Sequence, residues 1–119
     1  MTTQTTFDLA GFTRATEERD AQYVLGMYAD DAELRIIDRN NPPRSPQIFH
    51  GKPEIQPYIE DVFSRDMTHK IVNPVLADDR VALTEECQYP DGTNVLCSCS
   101  AELRDGVISR QSIIQVWDE

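Results

Sequence analysis

A chain of 119 residues, 39% of them hydrophobic, carries enough apolar side chain for one packed core, so residues 1–119 read as a single domain. The formal net charge is −10, and the acids are spread along the chain, which makes phosphate backbones and anionic lipid heads poor partners: neither nucleic acid nor membrane is expected. No apolar run exceeds three residues, and the start of the chain lacks the basic and apolar stretches of a secretion signal, which predicts a cytoplasmic protein.

The first helix is expected to begin near Thr5 or Thr6, either of which can cap it, with Asp8 in the first turn where the helix dipole favours a negative charge. Leu9, Phe12 and Ala15 or Thr16 then share a face. Asp20 reads as the cap of a second, short helix, in which Ala21, Val24, Leu25 and Tyr28 recur at the spacing of a buried stripe. After Asp30 and Asp31 the period changes to two. Ala32, Leu34 and Ile36 alternate with Glu33 and Arg35, a strand with one wet face. Arg39 to Pro46 contains three prolines and cannot be regular structure; it is a loop, placed to overhang a pocket mouth. Ile48, Phe49 and His50 form a short return strand before Gly51. A third helix repeats Ile55, Tyr58, Ile59, Val62 and Phe63. Pro53 fits its first turn, whereas Pro57 predicts a late start or a bend.

From Thr68 onward the chain reads as strands. The turn signals Pro90-Asp91-Gly92 and Arg104-Asp105-Gly106 separate runs over 81–89, 93–103 and 107–117, each about ten residues against a usual five or six. Long antiparallel strands twist and curl. With the helices segregated in the first half, the class is α+β. A curled sheet closed by helices on its concave side leaves a cone-shaped hollow where a small ligand would sit.

The string Met27-Tyr28-Ala29-Asp30-Asp31-Ala32, with Asp20 eight positions before Tyr28, His50-Gly51 before the third helix and an Asp-Gly turn between the last two strands, resembles the NTF2-like superfamily and within it the SnoaL-like (polyketide cyclase-like) branch. The resemblance runs from about Phe7 to Trp117 and implies a cone-shaped α+β roll of about three N-terminal helices on a curved, mostly antiparallel sheet. It also implies pairing of two copies through the outer face of that sheet, where Ile114 and Val116 would suit a homodimer. Ketosteroid isomerase shares the string most literally, but by register its base falls on Ile36, its oxyanion tyrosine on Phe12 and its second acid near Cys99. None of these side chains can do that work, so steroid isomerisation by that mechanism is excluded, while the three positions remain expected pocket walls.

Three ionisable residues could carry chemistry. Asp38 follows Ile36 on one face, where an apolar wall would favour its protonated form; otherwise it is a solvated acid opening the loop. His69 shares a face with Ile71, opposite Lys70, and the registers of similar folds put it in the cavity, where an imidazole is a natural proton carrier. Glu85 lies on the face Val81, Leu83, Glu85, Cys87 and Tyr89, the apolar one; a bulge would reverse the parity and turn Thr84 and Glu86 inward, and the two alternatives stand level.

Of the three cysteines, Cys97 and Cys99 read as small core residues; a metal site with His69 matches no common zinc spacing, and no metal or organic cofactor is expected. On the last strand Gln111, Ile113, Gln115 and Trp117 share a face, with Gln111 placed to hold a ligand oxygen and Trp117 to form a wall. Tyr28 and Tyr58 are expected at the pocket as core residues with hydrogen-bonded tips. The leading expectation is a cofactor-independent enzyme doing proton-transfer chemistry of isomerase, dehydratase or cyclase type on a small apolar substrate. In it, His69 acts as acid and base, and Asp38 or Glu85 is its partner. The alternative is a non-catalytic ligand-binding or dimeric interaction module of the same fold.

Overall fold

The structure, a computed structural model, describes residues 6–118. Two helices, α1 (Leu9–Glu17) and α2 (Ala21–Leu25), lead into β1 (Tyr28–Ile37). β2 (Gln47–His50) and α3 (Lys52–Ser64) follow, and then β3 (Thr68–Leu76), β4 (Arg80–Gln88), β5 (Asn94–Arg104) and β6 (Val107–Trp117). The α+β segregation and the long C-terminal strands are those expected from the sequence.

Three local expectations need correction. Asp8 caps α1, its carboxylate accepting from the Gly11 amide at 3.0 Å, so it does not lie in a first turn begun by Thr6; Thr5 lies outside the described residues. The Tyr23 hydroxyl donates to the same carboxylate at 2.9 Å, and the pair presses so closely on Gly11 that a Cβ there would collide with both. Asp20 does cap α2, accepting from the Tyr23 amide at 3.1 Å. Tyr28, however, belongs to β1 and not to a helical stripe. Gly26 closes α2, and the Ile108 amide then bonds the Met27 carbonyl at 2.8 Å, which draws the next residue into the sheet beside β6. Finally, α3 does not start late: it begins at Lys52 and runs through Pro57. The amide that Pro57 lacks would have reached the carbonyl of Pro53, and both prolines are exposed, so water can take that acceptor. Gly51 holds the entry to α3 with φ of 77°, its amide bonded to the Ala32 carbonyl at 2.6 Å.

The six strands form one sheet in the order β2-β1-β6-β5-β4-β3, with β1 and β6 parallel and every other pair antiparallel. Register slips occur in β1 before Glu33, in β3 between Val72 and Val75, and between β5 and β6 near Leu103. Such bulges bend and twist strands. α1 packs against β3, and α3 against β1 and β2. Between helices and sheet lies the core, in which Leu34, Ile36, Ile55 and Ile108 are fully buried. The opposite face of the sheet is open, and Leu96, Ile114 and Val116 lie exposed on it. No described helix is long and apolar enough to cross a membrane.

Candidate functional site

The hollow between the helices and the sheet has two connected lobes. The outer lobe, about 460 Å³, opens at the loop after β1 and takes in Ile36, Asp38, Arg65, His69, Tyr89 and Trp117. The inner lobe, about 80 Å³, is more apolar and includes Phe12, Thr16, Tyr28, Leu83, Cys99 and Gln111. Tyr58, Val62, Glu85, Cys97 and Gln115 line both, so they mark the neck. Together the lobes are the size of an ordinary small-molecule site.

Sheet register builds the polar centre of this hollow. β3 and β4 pair with His69 opposite Cys87 and Ile71 opposite Glu85. Glu85 and Cys87, two apart, point the same way. Their atoms converge: His69 Nδ1 lies 3.1 Å from Glu85 Oε2, Cys87 Sγ donates to the same oxygen at 3.0 Å, and Cys87 Sγ is 3.3 Å from His69 Nδ1. The short Nδ1 to carboxylate distance assigns the imidazole proton to Nδ1. Glu85 Oε2 thus accepts twice, while Oε1 makes no hydrogen bond among the described residues. Burial divides the pair. The His69 side chain is 1% exposed and packs edge-on against Phe63 with ring centres 5.3 Å apart, whereas the Glu85 side chain is 19% exposed, at the neck. His69 Nε2 is buried without a partner among the described residues.

The three donor atoms lie within 4.8 Å of one another, the one described cluster that could hold a metal ion. A soft divalent cation there would require the Cys87 thiolate. The neighbouring Cys97 thiol, burial and the Glu85 carboxylate all push the Cys87 thiol far up, so the group is a protonated donor to Glu85. Burial likewise raises the Cys99 thiol. Neither is an activated nucleophile.

Two tyrosine–glutamine pairs brace the walls. The Tyr28 hydroxyl donates to Gln111 Oε1, and Gln115 Nε2 donates to the Tyr58 hydroxyl at 3.4 Å. Burial pushes both phenols well up, so they stay protonated and act as fixed dipoles.

All ten residues singled out in the sequence line one lobe or the other: His69, Asp38, Ile36 and Trp117 the outer, Phe12, Tyr28, Cys99 and Gln111 the inner, Tyr58 and Glu85 both. The parity of β4 is decided for Glu85 facing in, because β4 pairs with β5 from Arg80 to Gln88 without a slip; the bulge falls on β3, at Asn73 and Pro74. Of the two acids set beside His69 by the sequence, Glu85 alone makes contact. Asp38 turns one oxygen to its own loop, where Oδ1 accepts from the Asn40 amide, the Asn41 amide and Asn41 Nδ2, each at 2.9 Å. Cys87 and Thr16 were not foreseen as site residues. The signal for Cys87 was its place two residues after Glu85 on the apolar face; its contact with His69 depends on the pairing of two strands.

Residues 9–111 match a family model described as a SnoaL-like domain. Among solved structures the chain is similar to a candidate ketosteroid isomerase from Kribbella flavida, at 14% identity and TM-score 0.74, over 92% of this chain and 74% of that one. It is similar also to a candidate isomerase from Bacillus subtilis, at 22% identity and TM-score 0.69, over 92% and 83%. An NTF2-like protein of unknown function from Burkholderia xenovorans gives 15% identity and TM-score 0.74, over 93% and 80%. At these identities the likeness is one of fold. The comparison with curated proteins gives no match.

Proposed function

The chain belongs to the SnoaL-like family, whose fold serves isomerases and cyclases, and from that premise we propose that it is a small-molecule enzyme in which Glu85 moves a proton on an apolar carbonyl substrate. The observation that carries this is the division of labour within one carboxylate. Oε2 is held by His69 and Cys87, and Oε1 stands unbonded at the neck of the cavity. A base held this way needs no reorganisation to meet a substrate.

The geometry favours Glu85 over His69 as the group that meets the substrate, because the imidazole is almost wholly buried with its Nδ1 engaged by the carboxylate, while Glu85 is the more exposed of the two. In the forward step Oε1 takes a proton from the carbon beside the substrate carbonyl, the C–H electron pair becomes the carbon–carbon π bond of the enolate, and the carbonyl π pair moves onto oxygen. The Glu85 O–H then returns the proton to a second carbon, or to the same one. His69 and Cys87 are positioning residues that fix the carboxylate plane. Walls such as Ile36, Phe12, Leu83 and Trp117 suit a ring or chain without charge.

The test uses 2-tetralone, an apolar ketone with acidic α-hydrogens. Exchange of those hydrogens for deuterium, followed by NMR, should be accelerated by the protein. Glu85→Gln should slow that exchange by about 100-fold or more, while Trp117 fluorescence still reports binding. Exchange unchanged in Glu85→Gln would end this reading and leave a ligand carrier, which needs the hollow but not the free oxygen. The exposed Leu96, Ile114 and Val116 support a homodimer through the open sheet face; Ile114→Lys should then convert the sedimenting species to monomer, and a wild-type monomer would remove that part of the proposal.

A further inference from the structure

Two polar groups in the inner lobe have no part in proton transfer at Glu85. Thr16, one turn beyond Phe12 on α1, is 2% exposed, and its hydroxyl has no hydrogen-bond partner among the described residues. A threonine inside a helix can return its hydroxyl to the carbonyl four residues back; here it does not. A buried hydroxyl left unbonded is disfavoured unless something else supplies a partner. Gln111, on β6, is 7% exposed and lines the same lobe. The Tyr28 hydroxyl bonds its Oε1 and so orients the amide. Its Nε2 makes no hydrogen bond among the described residues. Phe12, Leu83 and Ile113 enclose the space between them.

We infer that the inner lobe is a subsite for a single carbonyl oxygen at the leading end of an otherwise apolar ligand, held by the Thr16 hydroxyl and Gln111 Nε2. Both groups present hydrogens, which suits an acceptor. A hydrocarbon end would leave both unbonded. A carboxylate end is disfavoured because Glu85 stands at the entrance and, among the described residues, no cation lines the lobe. The inference deepens the proton-transfer reading and rests on it only for where the reacting carbon sits: with the oxygen in the inner lobe, that reading puts the α-carbon toward the neck that Glu85 lines.

The experiment compares 2-tetralone with tetralin, the same carbon skeleton without the oxygen, by quenching of Trp117, the one tryptophan of the chain and part of the outer lobe. The ketone should bind about tenfold more tightly than the hydrocarbon. Thr16→Val, which keeps the shape and removes the hydroxyl, should weaken the ketone about fivefold and leave tetralin within about twofold; Thr16→Ser should restore the preference. Thermal unfolding adds a second readout: an unpartnered hydroxyl predicts that Thr16→Val melts no lower than wild type. Equal affinity for the two probes, no binding of either, or an unchanged ketone preference in both Thr16→Val and Gln111→Leu overturns the subsite. Discrimination without deuterium exchange would end the proton-transfer reading and keep the subsite; exchange without discrimination would do the reverse.

Discussion

The rim and the floor of the outer lobe each offer a carboxylate, and they are held by different kinds of neighbour. Asp38, at the rim, bonds residues two and three positions away, so its partners come with the turn it sits in. Glu85, on the floor, bonds His69 from the next strand, 16 residues away, and Cys87 on its own strand. Local bonds hold a loop in shape, whereas bonds between strands set the position of a reacting atom relative to the rest of a cavity. Chemical type alone does not separate these two acids; the origin of their donors does.

Exchanging the two acids gives the largest expected contrast. Glu85→Gln should slow proton exchange by about 100-fold or more, against no more than about threefold for Asp38→Asn. The opposite ranking would move the chemistry to the rim. Next comes the bracing of the walls. Tyr28→Phe removes a bond spanning 83 positions and leaves Gln111 Oε1 buried without its donor, so urea denaturation should register a loss of about 2 kcal/mol. A stability unchanged by that substitution would show that the long-range pair is not structural. Asp38→Ala should cost about 1 kcal/mol through the loop alone, with binding of 2-tetralone retained; a larger loss would mean that the rim supports the cavity.

The smallest effect is a pH dependence at the far end of α1. The Gly11 amide and the Tyr23 hydroxyl bond the Asp8 carboxylate and hold it below its ordinary value of 3.8. A carboxylate depressed in the folded state stabilises above its unfolded value, and that contribution is lost as pH falls through the folded one. The stability gap between wild type and Asp8→Ala should therefore be constant near neutrality and close below about pH 3.8. A gap that persists in acid would show that the cap acts without its charge.

Much of the fold was legible because it follows from local rules. The period-two alternation of Ala32, Leu34 and Ile36, the Asp20 cap and the two Asp-Gly turns are each readable within a few residues. Errors arose where one neighbour outweighed the local pattern. Tyr28 fits a helical stripe, yet a bond between Ile108 and Met27 pulls it into the sheet. Pro57 predicts a late start, yet Pro53, whose carbonyl loses its donor, is an exposed residue and α3 runs on from Lys52.

The sequence by itself determined the order of the elements, the class of the fold and a set of ten residues that line one hollow, because side-chain alternation and turn chemistry act over short spans. It left open whether Glu85 faced in, and it did not distinguish Asp38 from Glu85 as the partner of His69. Tertiary structure decided both. The slip-free pairing of β4 with β5 turns Glu85 inward, and the register of β3 on β4 sets His69 opposite Cys87 and brings two donors onto one Glu85 oxygen. Which donor reaches which acceptor across strands depends on register summed over turns and bulges, and no spacing along a single strand contains it.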